Sequence, residues 1–373
     1  TRPTPKPVTT EEVNKVIDSV GGAFNAFTSW ENTGFWVKVA KKHLNLGLEF
    51  LEQLIFKPRL PELELERERG VILEEIKMRQ DEPMIKVSEA FVSQVYSLTC
   101  LGQAVIGTAE NIKSIPRTKF IKHLNKWYQP KNMVLAVAGP SSAATAGTAG
   151  LVEKIFQSEK SGEVKFSDQP GKLSFKQDKP QIQVIEKKIE QAHFCLGVRT
   201  FERTNKDRYV LALLNTILGG NTSSRLWNEI RENRGLAYYV RSSIDSFFET
   251  GYLVTQAGCD VKKLNESIKL TLNEYEKIGQ KPVEDKELKL AKEYLKGRLA
   301  LALEDSQDVA EQFGEDLLLE GKVRTIQEML EGVDKVEIDD IQRVGGKIFQ
   351  ERQLNLTIVG PFKNQNQFAK LLV

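Results

Sequence analysis

Histidine is among the scarcest chemistry-bearing residues of this 373-residue chain: His43, His123 and His193 are the only three, and no two lie within four positions of each other. A self-contained, His-rich zinc site is therefore not visible in the sequence. Cysteine is equally sparse. Cys100, Cys195 and Cys259 cannot build a disulfide framework, which allows a reducing compartment. Charge of one sign is not in excess, since 53 Lys and Arg against 51 Asp and Glu leave a net +2. That balance removes the basic footprint of a nucleic-acid binder, so no nucleic-acid partner is expected. No run approaches the ~18 apolar residues of a membrane span. A methionine is also missing from position 1, which is Thr. What remains is ordinary globular composition, with 40% apolar and 28% charged residues. At ~150 residues per domain the length suggests two or three domains.

The chain repeats itself. Residues 109–140, AENIKSIPRTKFIKHLNKWYQPKNMVLAVAGP, align without a gap on 330–361, LEGVDKVEIDDIQRVGGKIFQERQLNLTIVGP. Both read as an amphipathic helix, a short turn and an apolar strand ended by Gly-Pro. A second pair matches: residues 14–29, NKVIDSVGGAFNAFTS, and 227–242, WNEIRENRGLAYYVRS. Each is a helix stopped by glycine, Gly22 or Gly235, with a strand after it, as a left-handed helix stop requires. A strand, a helix (44–56 and 261–278), a Lys-Pro turn and a long charged helix follow in both copies.

The order strand, helix, helix, helix, strand, twice over, predicts an α+β protein of two homologous domains, each an antiparallel-rich sheet packed on helices. The joint, 158–179, is rich in Lys, Ser, Gly, Asp and Pro. It divides the chain into a domain at 1–165, a linker at 166–182 and a domain at 183–373. Before its matched helix the second copy carries a strand, AHFCLGV, and a helix, DRYVLALLNTIL. The first copy has no room for either. With a start at Thr1, the expectation is a first domain shortened by a strand and a helix.

Three stretches could carry chemistry. In 66–80, ERERGVILEEIKMRQ, Glu68 and Glu75 are seven apart, within ~20° of one azimuth on a helix and beside an apolar face of Ile72, Leu73 and Ile76. A solvated helix laced with charge pairs accounts for the same pattern. In 219–240, GGNTSSRLWNEIRENRGLAYYV, a Gly-rich turn enters a helix without the G-K-[ST] of a P-loop. Thr222 or Ser223 is the expected cap, and Arg231 and Tyr238 flank the stop. A surface arginine and a half-buried strand tyrosine is the plainer alternative. In 21–39, small residues alternate with aromatics; Asn25, Ala26 and Thr28 are suited to an edge that accepts an extended peptide, or simply to a hairpin. His193 and Cys195 alternate with apolar residues, which predicts core positions.

Together these stretches resemble the insulinase/pitrilysin family of zinc peptidases, in the branch of mitochondrial and bacterial processing peptidases. GGAFNAFTSWENTGF, ERERGVILEEI, 127–140, QAHFCLG and 219–240 carry the resemblance, in that order along nearly the whole chain. It implies metalloprotease-like α/β-roll domains and zinc held by an H-x-x-E-H helix, whose place falls upstream of Thr1. Carried over, Glu75 is the third zinc ligand and Glu68 supports the site. Arg231 and Tyr238 contact the substrate backbone, and Asn25, Ala26, Phe27 and Thr28 pair with the substrate. Thr99-Cys100-Leu101-Gly102 stands where the family often has His-Pro-Leu-Gly, so the role of that loop is not carried over. The implied function is a zinc-dependent metalloendopeptidase acting on peptides inside a two-half chamber, as a homodimer, incomplete in these residues. The alternative is a non-catalytic peptide-binding subunit of a heterodimeric processing peptidase. A cytoplasmic location is expected.

Overall fold

The computed structural model describes residues 10–97, 99–140, 146–157, 173 and 175–372. The first half runs α1 (Thr10–Asp18), β1 (Ala23–Thr28), β2 (Thr33–Lys38), α2 (Leu44–Phe56), α3 (Glu62–Asp81), α4 (Pro83–Val95), α5 (Ala109–Ser114), α6 (Arg117–Trp127) and α7 (Ala146–Phe156). The second runs β3 (Gln181–Glu186), β4 (Gln191–Thr200), α8 (Arg208–Gly219), a π-helical turn (Trp227–Glu232), β5 (Ala237–Ser246), β6 (Gly251–Asp260) and α9 (Leu264–Gln280). It continues with α10 (Asp285–Ala302), α11 (Ser306–Glu315), a second π turn (Asp316–Glu320), α12 (Ile326–Asp334), α13 (Ile338–Ile348) and β7 (Asn355–Gly360). Helices and an antiparallel-rich sheet are the α+β class that the repeat predicts. The joint read at 158–179 lies largely outside the described residues.

The chain packs into two units, and each draws on both halves of the sequence. One comprises the described residues of Thr1–Arg69, Ser114–Asp168 and Leu301–Val323; the other, those of Gly70–Lys113, Gln169–Ala300 and Arg324–Val373. In the second unit five strands lie in the order β3-β7-β4-β6-β5, antiparallel except for β3 with β7. Strand alternation divides the β4 side chains between two layers. Ala192, Phe194, Leu196 and Val198 join the apolar faces of α8, α9 and α13 in one core, all buried. Cys195 joins Val87, Phe91, Val92 and Val95 of α4 on the opposite face. Gly197 makes room there, since a Cβ would stand 2.8 Å from the Phe91 ring and 2.2 Å from the Leu253 carbonyl. A helix from the first half of the sequence therefore covers a sheet from the second. The α3–α4 junction is tied down by Lys187 Nζ, which donates to the Gln80 and Asp81 carbonyls at 2.9 and 2.7 Å. Gln256 Nε2 donates to the Met84 carbonyl at 2.7 Å.

In the first unit β1 and β2 form a two-stranded antiparallel sheet. Residues 301–323 belong here: Lys38 Nζ pairs with Asp305 at 2.7 Å, and Asn32 Nδ2 donates to Glu315 at 2.9 Å. Two expectations are corrected. The left-handed residue that ends α1 is Gly21, at φ +63°, and not Gly22, whose N–H closes back on the Ile17 carbonyl at 3.0 Å. No strand forms over 133–140, although its repeat partner is β7. β7 is held by β3 on one side and β4 on the other, both drawn from 181–200. No described residues fill that place in the first unit, so MVLAVAG has no ladder partner there, and Leu135 and Val137 are exposed. An extended run without a neighbour makes no sheet.

Candidate functional site

Helix α3 carries the paired carboxylates. The chain enters it through Leu60, held at φ +49°. A left-handed leucine is strained, and Arg117 holds it in place, donating from Nε to the Leu60 carbonyl at 2.7 Å and from a terminal nitrogen to the Arg59 carbonyl at 3.1 Å. The helix surface is laced with i,i+3 pairs, Arg67–Glu64, Arg69–Glu66 and Lys77–Glu74, at 2.7–2.9 Å. Glu68 and Glu75 stand apart from this lattice. Glu68 is exposed and has no ion pair among the described residues. Glu75, 46% exposed, has Arg79 only at 4.0 Å, because that guanidinium is committed to Glu89 at 2.7 Å. Of the expected apolar face only Ile76 is fully buried; Ile72 and Leu73 are half-buried.

The carboxylates by themselves do not make a zinc site. No group of three His, Cys, Asp or Glu side chains that could hold a metal occurs among the described residues. Zinc in a protein takes three or four such ligands, and Glu75 alone cannot supply them. The described residues alone therefore do not complete a zinc site.

β1 has an open edge. Asn25, Ala26, Phe27 and Thr28 pair with Trp36, Phe35, Gly34 and Thr33 of β2, and β1 has no other strand neighbour among the described residues. Asn25 Oδ1 accepts the Ala26 N–H at 2.8 Å.

Arg231 and Tyr238 come together. The turn into their helix is set by Asn221, whose Oδ1 accepts the Ser223 N–H at 2.8 Å, and not by a cap at Thr222 or Ser223. The helix then widens into a π turn, closed by the Asn233 N–H on the Asn228 carbonyl at 2.8 Å. π turns mark functional positions more often than chance. Gly235, at φ +55°, ends the helix as the sequence predicts. Tyr238 is the extra residue of a β-bulge, since Ala237 faces Cys259 while Tyr239 faces the adjacent Gly258. A bulge re-aims its side chain, and Tyr238 is 77% exposed. The Arg231 guanidinium lies 5.9 Å from the Tyr238 ring and 4.1 Å from that of Trp227. Arg231 has no ion pair or hydrogen-bond acceptor for its side chain among the described residues.

His193 and Cys195 are buried, as their alternation predicts. His193 Nδ1 lies 3.0 Å from the Tyr239 hydroxyl. Burial lowers the His193 pKa, with Glu82 opposing, and pushes the Cys195 thiol up, which makes the latter an inert packing group. Sequence reasoning missed Trp227. Its signal was an aromatic four residues before an arginine on a helix.

Comparison with known proteins places this fold in one class. A model described as "Insulinase (Peptidase family M16)" matches residues 4–109, and one described as "Peptidase M16 inactive domain" matches 114–295. The chain is 33% identical to an uncharacterized zinc protease of Bacillus subtilis, over 95% of this chain and 84% of that protein. It is 30% identical to an uncharacterized zinc protease of Mycobacterium tuberculosis, over 97% and 82%. Among solved structures, a protease from Helicobacter pylori superposes with a TM-score of 0.87 at 25% identity, covering 96% of this chain and 86% of the other. A peptidase M16 inactive domain from Pseudomonas fluorescens shares the fold, with a TM-score of 0.80 at 18% identity over 95% and 84%. The chain belongs to the insulinase (M16) family of peptidases, and it carries no H-x-x-E-H in these 373 residues.

Proposed function

We propose that the protein serves a zinc-dependent endopeptidase activity on peptides or unfolded polypeptides within a chamber of two such halves. These residues would supply its peptide-binding surfaces and one metal carboxylate, Glu75. The reading is carried by one observation: Glu68 makes no ion pair among the described residues and Glu75 only a long one to Arg79, at 4.0 Å, while Arg231 and Tyr238 are presented by a π turn and a bulge. A chain that dispensed with peptide chemistry would have no need to keep both sets uncommitted. Arg231 and Tyr238 would bind the peptide backbone and steady a carbonyl oxygen as it gains charge. The free side of β1 would take the peptide as an added strand. Keeping both sets in one chain favours a homodimer. Hydrolysis itself calls for the histidine ligands and base of H-x-x-E-H, which these residues do not include.

A second reading, a non-catalytic peptide-binding subunit, is favoured by the lack of a metal-holding group among the described residues. Zinc analysis and fluorescein-labelled β-casein, an unfolded polypeptide, test the proposal. The 373-residue chain should bind β-casein, leave it uncut and hold no stoichiometric zinc. Tight one-to-one zinc would refute this assignment of Glu75 as a single ligand, and absence of β-casein binding would refute both readings. The gene's reading frame upstream of the Thr1 codon separates them: H-x-x-E-H there supports the endopeptidase, and its absence the subunit.

A further inference from the structure

We infer that Trp227 and Glu232 are positioning residues that hold the Arg231 guanidinium flat and keep its edge free for a peptide carbonyl; this rests on the peptide-binding reading of Arg231. An arginine without a carboxylate partner would normally sweep through many rotamers. Arg231 lies instead over the Trp227 ring, 4.1 Å from its centroid, with the Tyr238 ring at 5.9 Å. Stacking engages the face of a guanidinium and leaves its in-plane N–H donors unspent. A salt bridge would fix the side chain equally well but would consume those donors.

The indole is itself fixed. Its Nε1–H donates to Glu232 Oε1 at 3.1 Å, and its body packs against the apolar core of the second unit. In an α-helix residues i and i+5 do not face each other. The π turn, with its i to i+5 closure, brings Arg231 at i+4 and Glu232 at i+5 to the same indole. The neighbouring pair Glu229–Arg234, also five apart, closes at 2.8 Å. Glu232 therefore has two effects. It anchors Trp227, and with its Oε1 on the indole it makes no ion pair with Arg231. The π turn acts as a mount that presents a cation edge-on.

The test is binding of fluorescein-labelled β-casein to the 373-residue chain by anisotropy, with thermal melting as a check on folding. Trp227→Leu should weaken binding about three- to tenfold, the range of a partly desolvated cation–π contact. Trp227→Phe should recover most of the affinity, and Glu232→Ala should lose about half of what Trp227→Leu loses. In an Arg231→Ala background Trp227→Leu should have no further effect, because the indole acts through the arginine. Wild-type affinity in both Trp227→Leu and Glu232→Ala, or an undiminished Trp227→Leu effect without Arg231, overturns the inference. Glu232→Ala, on the exposed side, keeps the test decisive if Trp227→Leu fails to fold. Wild-type affinity in Arg231→Ala overturns the peptide-binding reading as well.

Discussion

Replacing Phe91 with Ala should unlock the second unit. Phe91 is 1% exposed, sits on α4 and packs over Gly197 in the layer that holds Cys195, Tyr252 and Val254. Its ring is 5.8 Å from that of Tyr252, edge to face. A buried phenylalanine removes ~150–250 Å² from water, worth about 4–6 kcal/mol at ~25 cal/mol per Å². Mutational series put Phe→Ala at about 3–5 kcal/mol once partial collapse of the cavity is counted. Taking about 4, and about 2–4 °C per kcal/mol for a unit of 150–250 residues, the melting temperature should fall by roughly 8–16 °C. A thiol titration reads the same event locally. In the wild type only Cys100 is exposed, while Cys195 and Cys259 are buried, so one thiol should react fast. In Phe91→Ala, Cys195 should join it. A melt within about 3 °C of wild type, with Cys195 still silent, would refute the packing of α4 on this sheet.

Asp207 and Arg343 give a pH prediction. Arg343 donates through both terminal nitrogens to the buried Asp207 carboxylate at 2.9 Å, and those hydrogen bonds hold the Asp207 pKa below its ordinary value. A depressed carboxylate stabilises the fold above its unfolded pKa of ~3.9 and loses that contribution as pH falls through the folded value. Arg343→Met should therefore cost about 1–3 kcal/mol near neutral pH and progressively less in acid, measured by urea melts from pH 7 to 2.5. Gly235→Ala, at φ +55° in otherwise open space, should cost about 1–2 kcal/mol by urea melt, and Gly235→Asn less. Equal stability of all three would contradict the left-handed stop.

Local chemistry was legible in the residues, and long-range partnership was not. The bounds of α2, the Gly235 stop and the burial of His193 and Cys195 follow from periodicity and backbone sterics, which act within a few positions. The run 133–140 has the same apolar pattern as β7, yet a strand exists only if neighbours supply its hydrogen bonds, and no local pattern reports that. The π turn was also invisible, because i+4 and i+5 closure differ by one residue and not by composition. Residue type and spacing single out Glu68, Glu75, Arg231 and Tyr238 as candidates, and their roles come from the resemblance. That Arg231 lies over the Trp227 ring with Tyr238 nearby needed coordinates.

The traded segments have a consequence for how the gene can be divided. Residues 70–113 belong to the unit built mainly from the second half of the sequence, and 301–323 to the other. A chain split between the two repeats would give two polypeptides, each carrying the cover for its sibling's core and lacking its own. Neither should fold alone. Synthesised together they should reassemble as a two-piece protein, whereas a split protein of ordinary domains would yield two independent ones.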